Sequence, residues 1–158
     1  MAQQNLEQAQ AVFKTICQVL ESNDWHHKKD EEKLVIHCGA QGEDFPMELI
    51  INVDAERSLV VLLSKLPFDI QEDKRIDAAI VICAINDVLA DGNFDYDVNT
   101  GRIGFRMTNS FIDSRLGPDV FEYMLLCACH IIDEHNDKLF ALSKGMMSLE
   151  QYLEALNG

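Results

Sequence analysis

Basic residues are scarce in this sequence: 13 lysines and arginines stand against 27 acidic residues, which gives a formal charge of −14. Nucleic acids and anionic membrane surfaces attract basic patches, and phosphate repels a chain of this charge. The sequence also has no apolar run that approaches the roughly 18 residues of a membrane span. Its first residues lack the basic start and the hydrophobic centre of a signal peptide. We therefore expect a cytoplasmic protein that binds neither nucleic acid nor membrane.

The chain also lacks the paired cysteines of a disulfide framework or a zinc site. The number of cysteines is odd, and no two of them form a CxxC pair. Cys127 and Cys129 are two residues apart on a segment expected to be helical, so their thiols point in different directions and do not converge on a metal. We expect free thiols that pack as small apolar groups in a reducing compartment. These cysteines are Cys17, Cys38, Cys83, Cys127 and Cys129.

One acidic segment imitates the start of a calcium loop without completing it. Asp95, Asp97 and Asn99 have the spacing of the first three ligands of an EF-hand. The sixth position of such a loop needs glycine and holds Thr100, while the twelfth needs a bidentate glutamate and holds Arg106. No other segment carries the motif of a nucleophile or a protease. We therefore predict no metal, no cofactor and no catalytic residue.

The periodicity of apolar residues predicts two long helices separated by strands in the first part of the chain. Residues 3–22 form an amphipathic helix. Three strands are then expected, at residues 33–39, 45–53 and 58–66. Trp25 to Lys28 is a candidate for a further short strand. The second helix is expected over Gln71–Ala90, opened by a capping box at residues 69–72 and apolar on nearly all sides in its middle.

The second part of the chain predicts a hairpin and two more helices. The hairpin has strands at residues 93–98 and 102–108, joined by Asn99-Thr100-Gly101. Pro118 starts a third long helix, and Ser148 opens a short fourth helix with another capping box. The predicted order is α-βββ-α-ββ-α-α, with mostly short connections. It indicates a single α+β domain over residues 1–158, built on an antiparallel sheet of about five strands.

Several short motifs in these elements resemble a known family. Leu66-Pro67-Phe68 follows the central strand, and Asn86 lies in the apolar helix. The hairpin carries Gly92-Asn93-Phe94-Asp95-Tyr96-Asp97 and Gly101-Arg102-Ile103-Gly104-Phe105-Arg106. In this combination, most of the chain resembles the YbjN family of bacterial proteins.

The resemblance implies a fold similar to that of type III secretion chaperones. The family is largely uncharacterised and is described in terms of sensory transduction and regulation. The resemblance therefore implies a protein-binding, dimeric module, by analogy of fold, and it supplies no catalytic residues.

The strand at residues 58–66 is apolar on both faces, which bears on partner binding. Its two faces carry Leu59, Val61 and Leu63 on one side and Val60, Leu62 and Leu66 on the other. One face packs on the helices of the domain, and the other also needs a cover. We predict that this second face binds a protein partner or a second copy of the chain, through Val35, Ile50, Val60 and Leu62. A helix of the same chain that covers this face is the competing interpretation.

A second functional class is a small-ligand sensor or an enzyme with its site beside the hairpin. Its candidate residues are Asp95, Asp97, Arg102 and Arg106. Opposite charges on paired strands are also common on solvated faces, where they contribute little stability. A deep pocket with converging titratable groups and shifted pKa values would favour this class. The absence of catalytic motifs favours the non-enzymatic binding module.

Overall fold

The computed structural model describes the backbone of residues 2–158 and the side chains of residues 4–158. The elements in chain order are α1 (Ala2–Ser22), β1 (His27–Asp30), β2 (Val35–Gln41), β3 (Pro46–Asp54), β4 (Leu59–Asp69), α2 (Arg75–Val88), β5 (Asn93–Asp97), β6 (Arg102–Ser110), α3 (Pro118–Ser143) and α4 (Leu149–Asn157). The predicted α+β class is confirmed. The sheet has one strand more than the five predicted, because β1 forms just after Trp25.

The strands form one antiparallel sheet in the order β1-β2-β3-β4-β6-β5. A row of apolar side chains crosses its middle: Ile36 lies opposite Ile51, Ile51 opposite Leu62, and Leu62 opposite Met107. All four of these side chains are buried. They lie on the same face because residues paired across antiparallel strands point the same way. This face is the floor of the hydrophobic core.

Helices form the other wall of the core, and α1, α2 and α3 all contact this one face of the sheet. The short α4 packs against α2 and α3, where it buries Tyr152. Its start is fixed by the predicted capping box, in which the Ser148 hydroxyl accepts from the Gln151 N–H and the Gln151 side chain accepts from the Ser148 N–H. None of the helices in residues 2–158 has both the length and the apolar character needed to cross a membrane.

Helix α2 begins later than predicted and is covered on fewer sides. Asp69 continues β4 and a short 3₁₀ turn, Glu72–Lys74, precedes the helix, so the predicted capping box at residues 69–72 is wrong. Ile85 is fully buried, whereas Ile80 keeps 45% of its surface exposed. The apolar middle of α2 therefore has one side open to solvent.

The predicted hairpin of β5 and β6 is confirmed, and it is anchored to the segment before α2. Phe94 lies opposite Phe105, and both rings are buried in an edge-to-face contact with centroids 5.2 Å apart. Gly101 has a φ of +80°, and its carbonyl accepts the Ile70 N–H at 2.8 Å. A side chain at position 101 would collide with the Ile70 backbone, so this close approach requires glycine. The anchor fixes where the charged side chains of the hairpin lie.

Candidate protein-interaction surface

One face of the sheet is covered by helices, and no described helix packs on the other, which we call the open face. Strand alternation places every second residue of each strand there. In β3, Met47, Leu49 and Ile51 are buried, while Glu48 and Ile50 between them are exposed. The open face spans all six strands. A sheet of this kind leaves a broad surface in contact with solvent.

The centre of the open face is apolar. Ile50 on β3 lies directly opposite Leu63 on β4, and each side chain keeps 38% of its surface exposed. Val35 on β2 and Val61 on β4 lie in the neighbouring row, both opposite Asn52, and are partly exposed. Adjacent apolar residues on an exposed face mark a surface suited to binding another protein. We call these four residues the apolar centre.

Two of the predicted binding residues lie on the opposite face, so that part of the prediction is wrong. Val60 and Leu62 are each 1% exposed, because side chains of α1 and α3 pack over them. The predicted set combines residues from two faces: Val35 and Ile50 are on the open face, whereas Val60 and Leu62 belong to the core. The competing interpretation, in which the chain's own helices cover the face of Val60 and Leu62, is the one the structure shows.

Val61 and Leu63 were missed as surface residues, although the sequence contains a signal for them. Lys65 has the same parity along β4 as these two residues, and it cannot be buried without a partner. In β3, Glu48 and Asn52 likewise share the face of Ile50. A charged residue in alternation with apolar ones therefore indicates which face meets solvent.

One edge of the sheet, at β5, is partly closed by a side chain of the same chain. The Asn86 side chain of α2 accepts the Phe94 N–H at 2.8 Å and donates to the Phe94 carbonyl at 3.0 Å, as a neighbouring strand would. Near the other edge, the Trp25 indole N–H donates at 2.5 Å to the carbonyl of Gly39 on β2, just beyond the end of its pairing with the edge strand β1. Blocked backbone groups hinder the addition of a foreign strand. The β5 edge is therefore less accessible to an added strand.

The four charged residues of the alternative site do come together on the open face of the hairpin. Arg106 Nη2 lies 2.9 Å from Asp95 Oδ1, and Asp97 lies opposite Arg102 in the strand register. The Asp97 carboxylate accepts hydrogen bonds from Thr100 and from the Asn99 N–H, which lower the pKa of Asp97. With Leu63 and Lys65 they line a shallow, open groove of about 520 Å³. The charges compensate one another within the chain.

The histidine on the apolar stripe of α3 has a structural partner. His135 is buried, its Nδ1 lies 3.1 Å from the Tyr152 hydroxyl, and the two rings are stacked. Burial lowers the pKa of His135, which favours the neutral imidazole. Phe94 contacts the same ring edge-to-face. This group joins α3, α4 and β5 within the core.

The cysteines are free, but they differ in burial. Cys17 and Cys38 are buried as expected, whereas Cys83 is exposed on α2. Burial raises the pKa of Cys38 to about 12 and that of Cys129 to about 11, so both remain thiols at neutral pH. Within residues 4–158, no group of three His, Cys, Asp or Glu side chains is arranged to hold a metal ion.

Together these features define an α+β protein with four helices on one face of an antiparallel sheet and a partly apolar open face on the other. No protein-family model matches the chain, and no curated protein matches it. Among solved structures, the chain is similar to YbjN from E. coli, described as a candidate transcription regulator, with a TM-score of 0.59. The superposition covers 80% of this chain and 92% of that one at 12% sequence identity. A likeness at this identity shows the fold alone.

Proposed function

We propose that the chain is a non-enzymatic protein-binding module and that the open face of its sheet is the binding surface. The observation that carries this proposal is the exposed apolar centre around Ile50 and Leu63. Each Å² of apolar surface removed from water contributes about 25 cal/mol, so a protein that covers these side chains gains stability. The surrounding charges of Glu48, Lys65 and Arg106 give the surface the polar rim that protein interfaces have.

A chaperone-like or regulatory role is the finer form of the proposal. It is supported by the similarity in fold to YbjN, described as a candidate transcription regulator. The net charge of −14 favours action through contact with another protein over direct binding to DNA. A cytoplasmic location, which is expected from the composition and hydropathy of the sequence, stays a prediction.

A ligand sensor or an enzyme beside the hairpin is the less favoured alternative. The candidate acids there are engaged by the chain itself, Asp95 by Arg106 and Asp97 by the turn that follows β5. The groove that they line is shallow and open to solvent. Ligand sites are usually concave and apolar, with a few converging polar groups. The apolar centre therefore carries more weight than the charged hairpin.

Affinity capture from a lysate of the native host tests the proposal. The bait is the wild-type chain or the double variant Ile50→Lys with Leu63→Glu, which leaves the net charge unchanged. The matched control is Ile76→Lys with Ile80→Glu, which makes the same change on the exposed side of α2. We expect the wild type and the control to retain the same proteins, and we expect the open-face variant to lose them. If the chain associates with itself, a differently tagged copy of the chain is among the retained proteins. Equal capture by all three folded baits would overturn the proposal.

A further inference from the structure

We infer that the partner on the open face is a second copy of this chain, packed face to face about a two-fold axis that runs parallel to the strands between β3 and β4. This inference rests on the proposed function and names its partner. In the strand order, β1, β2 and β3 lie on one side of that line and β4, β6 and β5 on the other. The axis therefore passes through the middle of the open face, and each copy offers the same surface to the other.

The strand register makes the centre of the face self-complementary. Rotation about this axis places β3 of each copy over β4 of the other at the same level along the strands. Ile50 lies opposite Leu63 within one chain, so Ile50 of each copy meets Leu63 of the other. The contact occurs twice and buries the most exposed apolar side chains of the central strands. An apolar core at the centre of the contact is the usual anatomy of a stable interface.

A second row, on the side of Ile50 and Leu63 where the pairing of β3 with β4 ends, carries opposite charges in the order that the same rotation requires. Glu48 and Lys65 lie two residues from Ile50 and Leu63 on their respective strands, and both are exposed beside one shallow groove. The rotation brings Glu48 of each copy over Lys65 of the other, which gives two reciprocal ion pairs. Among the described residues, Glu48 has no ion-pair partner in its own chain, and Lys65 has only a weak, exposed contact with Asp69 at 3.8 Å. Both groups are thus available to the second copy.

The outer positions of this row allow the two sheets to approach. Gly39 lies opposite Glu48 on one side, and Gly104 lies opposite Lys65 on the other. The rotation places Gly39 of each copy over Gly104 of the other, where no side chain separates the sheets. In the row of Ile50 and Leu63 themselves, the rotation places His37 of each copy over Arg106 of the other, whose charge is already paired with Asp95 at 2.9 Å.

The size and charge of the open face suit a dimer. Strand spacing and the residue rise give the face dimensions of about 24 Å by 30 Å, or roughly 700 Å². A stable protein interface buries about 800 Å² on each partner. The face also intersperses bases and acids on a chain whose formal charge is −14. Basic side chains here include Lys28, Lys65, Arg102 and Arg106. Two acidic chains repel one another least where their contact surface is mixed in charge.

Charge exchange across the two-fold axis tests this arrangement with the purified full chain. Glu48→Lys puts lysine over lysine in a homodimer, and Lys65→Glu puts glutamate over glutamate. We expect each variant alone to dimerise at least about tenfold more weakly than the wild type in analytical ultracentrifugation. In an equimolar mixture, the lysine introduced in one variant meets the glutamate introduced in the other, and the remaining native Glu48 meets the remaining native Lys65. We therefore expect the mixture to form heterodimers with nearly wild-type affinity, which only a reciprocal contact between copies restores.

Controls on the helical side separate this effect from a change in net charge. Glu122→Lys on α3 and Lys14→Glu on α1 make the same charge changes at exposed positions away from the open face, and we expect wild-type dimerisation from both. If a charge-exchange variant fails to fold, Leu63→Asp serves as the second disruptive variant. We expect it to be a folded monomer. A monomeric wild type, unweakened single variants or a mixture without heterodimers would each overturn the inference. Lysate capture that still depends on the open face would then leave the proposed function standing.

Discussion

Two adjacent leucines of β4 provide the most direct test of which face of the sheet belongs to the core. Leu62 is 1% exposed and packs under the helices, whereas Leu63 is 38% exposed on the open face. Both residues lie in the same strand and have the same side chain. Substitution of each by alanine therefore compares the same residue type in the same strand, and only the face of the sheet differs.

The expected losses follow from the burial of each side chain. Leucine to alanine removes the equivalent of three buried methylene groups, or about 2.4 kcal/mol at position 62. A cavity term adds to this loss, because the site already borders a small gap lined by Ile16, Ile51 and Phe121. We expect Leu62→Ala to lower the free energy of unfolding by about 3–4 kcal/mol in total. Leu63→Ala should cost about 1 kcal/mol, since the side chain is only partly buried and solvent fills the space.

Urea unfolding measures both losses, with the fluorescence of Trp25, the one tryptophan of the chain, as the signal. The protein concentration is kept well below that at which the chain self-associates, so that only folding is measured. The slope of the free energy with urea should be the same in both variants. Equal losses for the two variants, or a larger loss for Leu63→Ala, would refute the assignment of the faces.

Three further predictions concern the core and the sheet edge. Ile85→Asp should abolish cooperative unfolding, because a buried charge has no partner there, whereas Ile80→Asp should keep it; thermal melts followed by circular dichroism distinguish the two. Asn86→Ala removes both hydrogen bonds to the Phe94 backbone and should cost about 2 kcal/mol, with faster hydrogen exchange of the Phe94 amide; unchanged exchange would contradict this role. The pKa of His135 is lowered on folding, so the unfolded chain takes up its proton first, and the free energy of unfolding should fall as the pH drops from about 7 to 5. His135→Gln should flatten that slope, and an unchanged slope would show that other groups set it.

Elements whose ends depend on local chemistry were predictable from the sequence. The hairpin was expected at residues 93–98 and 102–108 and is found at Asn93–Asp97 and Arg102–Ser110. Its turn needs Gly101 for a positive φ, and glycine is visible in the sequence. Pro118 starts α3 and Ser148 caps α4, as predicted, because each signal acts within one helical turn.

The start of α2 was not predictable because distant contacts decide it. Asp69 and Glu72 have the spacing of a capping box, but the backbone before the helix is held by other elements. The Ile70 N–H donates to Gly101 of the hairpin, and the Gln71 N–H donates to the Ser143 hydroxyl of α3 at 3.1 Å. These bonds hold the segment before α2 outside the helix, which begins at Arg75.

The sequence by itself determined that this protein is an α+β domain with a strand that is apolar on both faces. Strand periodicity separates Leu62 from Leu63, but it carries no information on where α1 and α3 lie. Lys65 and Glu48 mark in the sequence the face that meets solvent, but only the tertiary structure decided that α1 and α3 cover the other one, because the helices pack where their own apolar stripes meet those of the sheet. The register that sets Ile50 beside Leu63 is also a tertiary property. The open face therefore emerges from the packing of distant segments, although each of its residues is visible in the sequence.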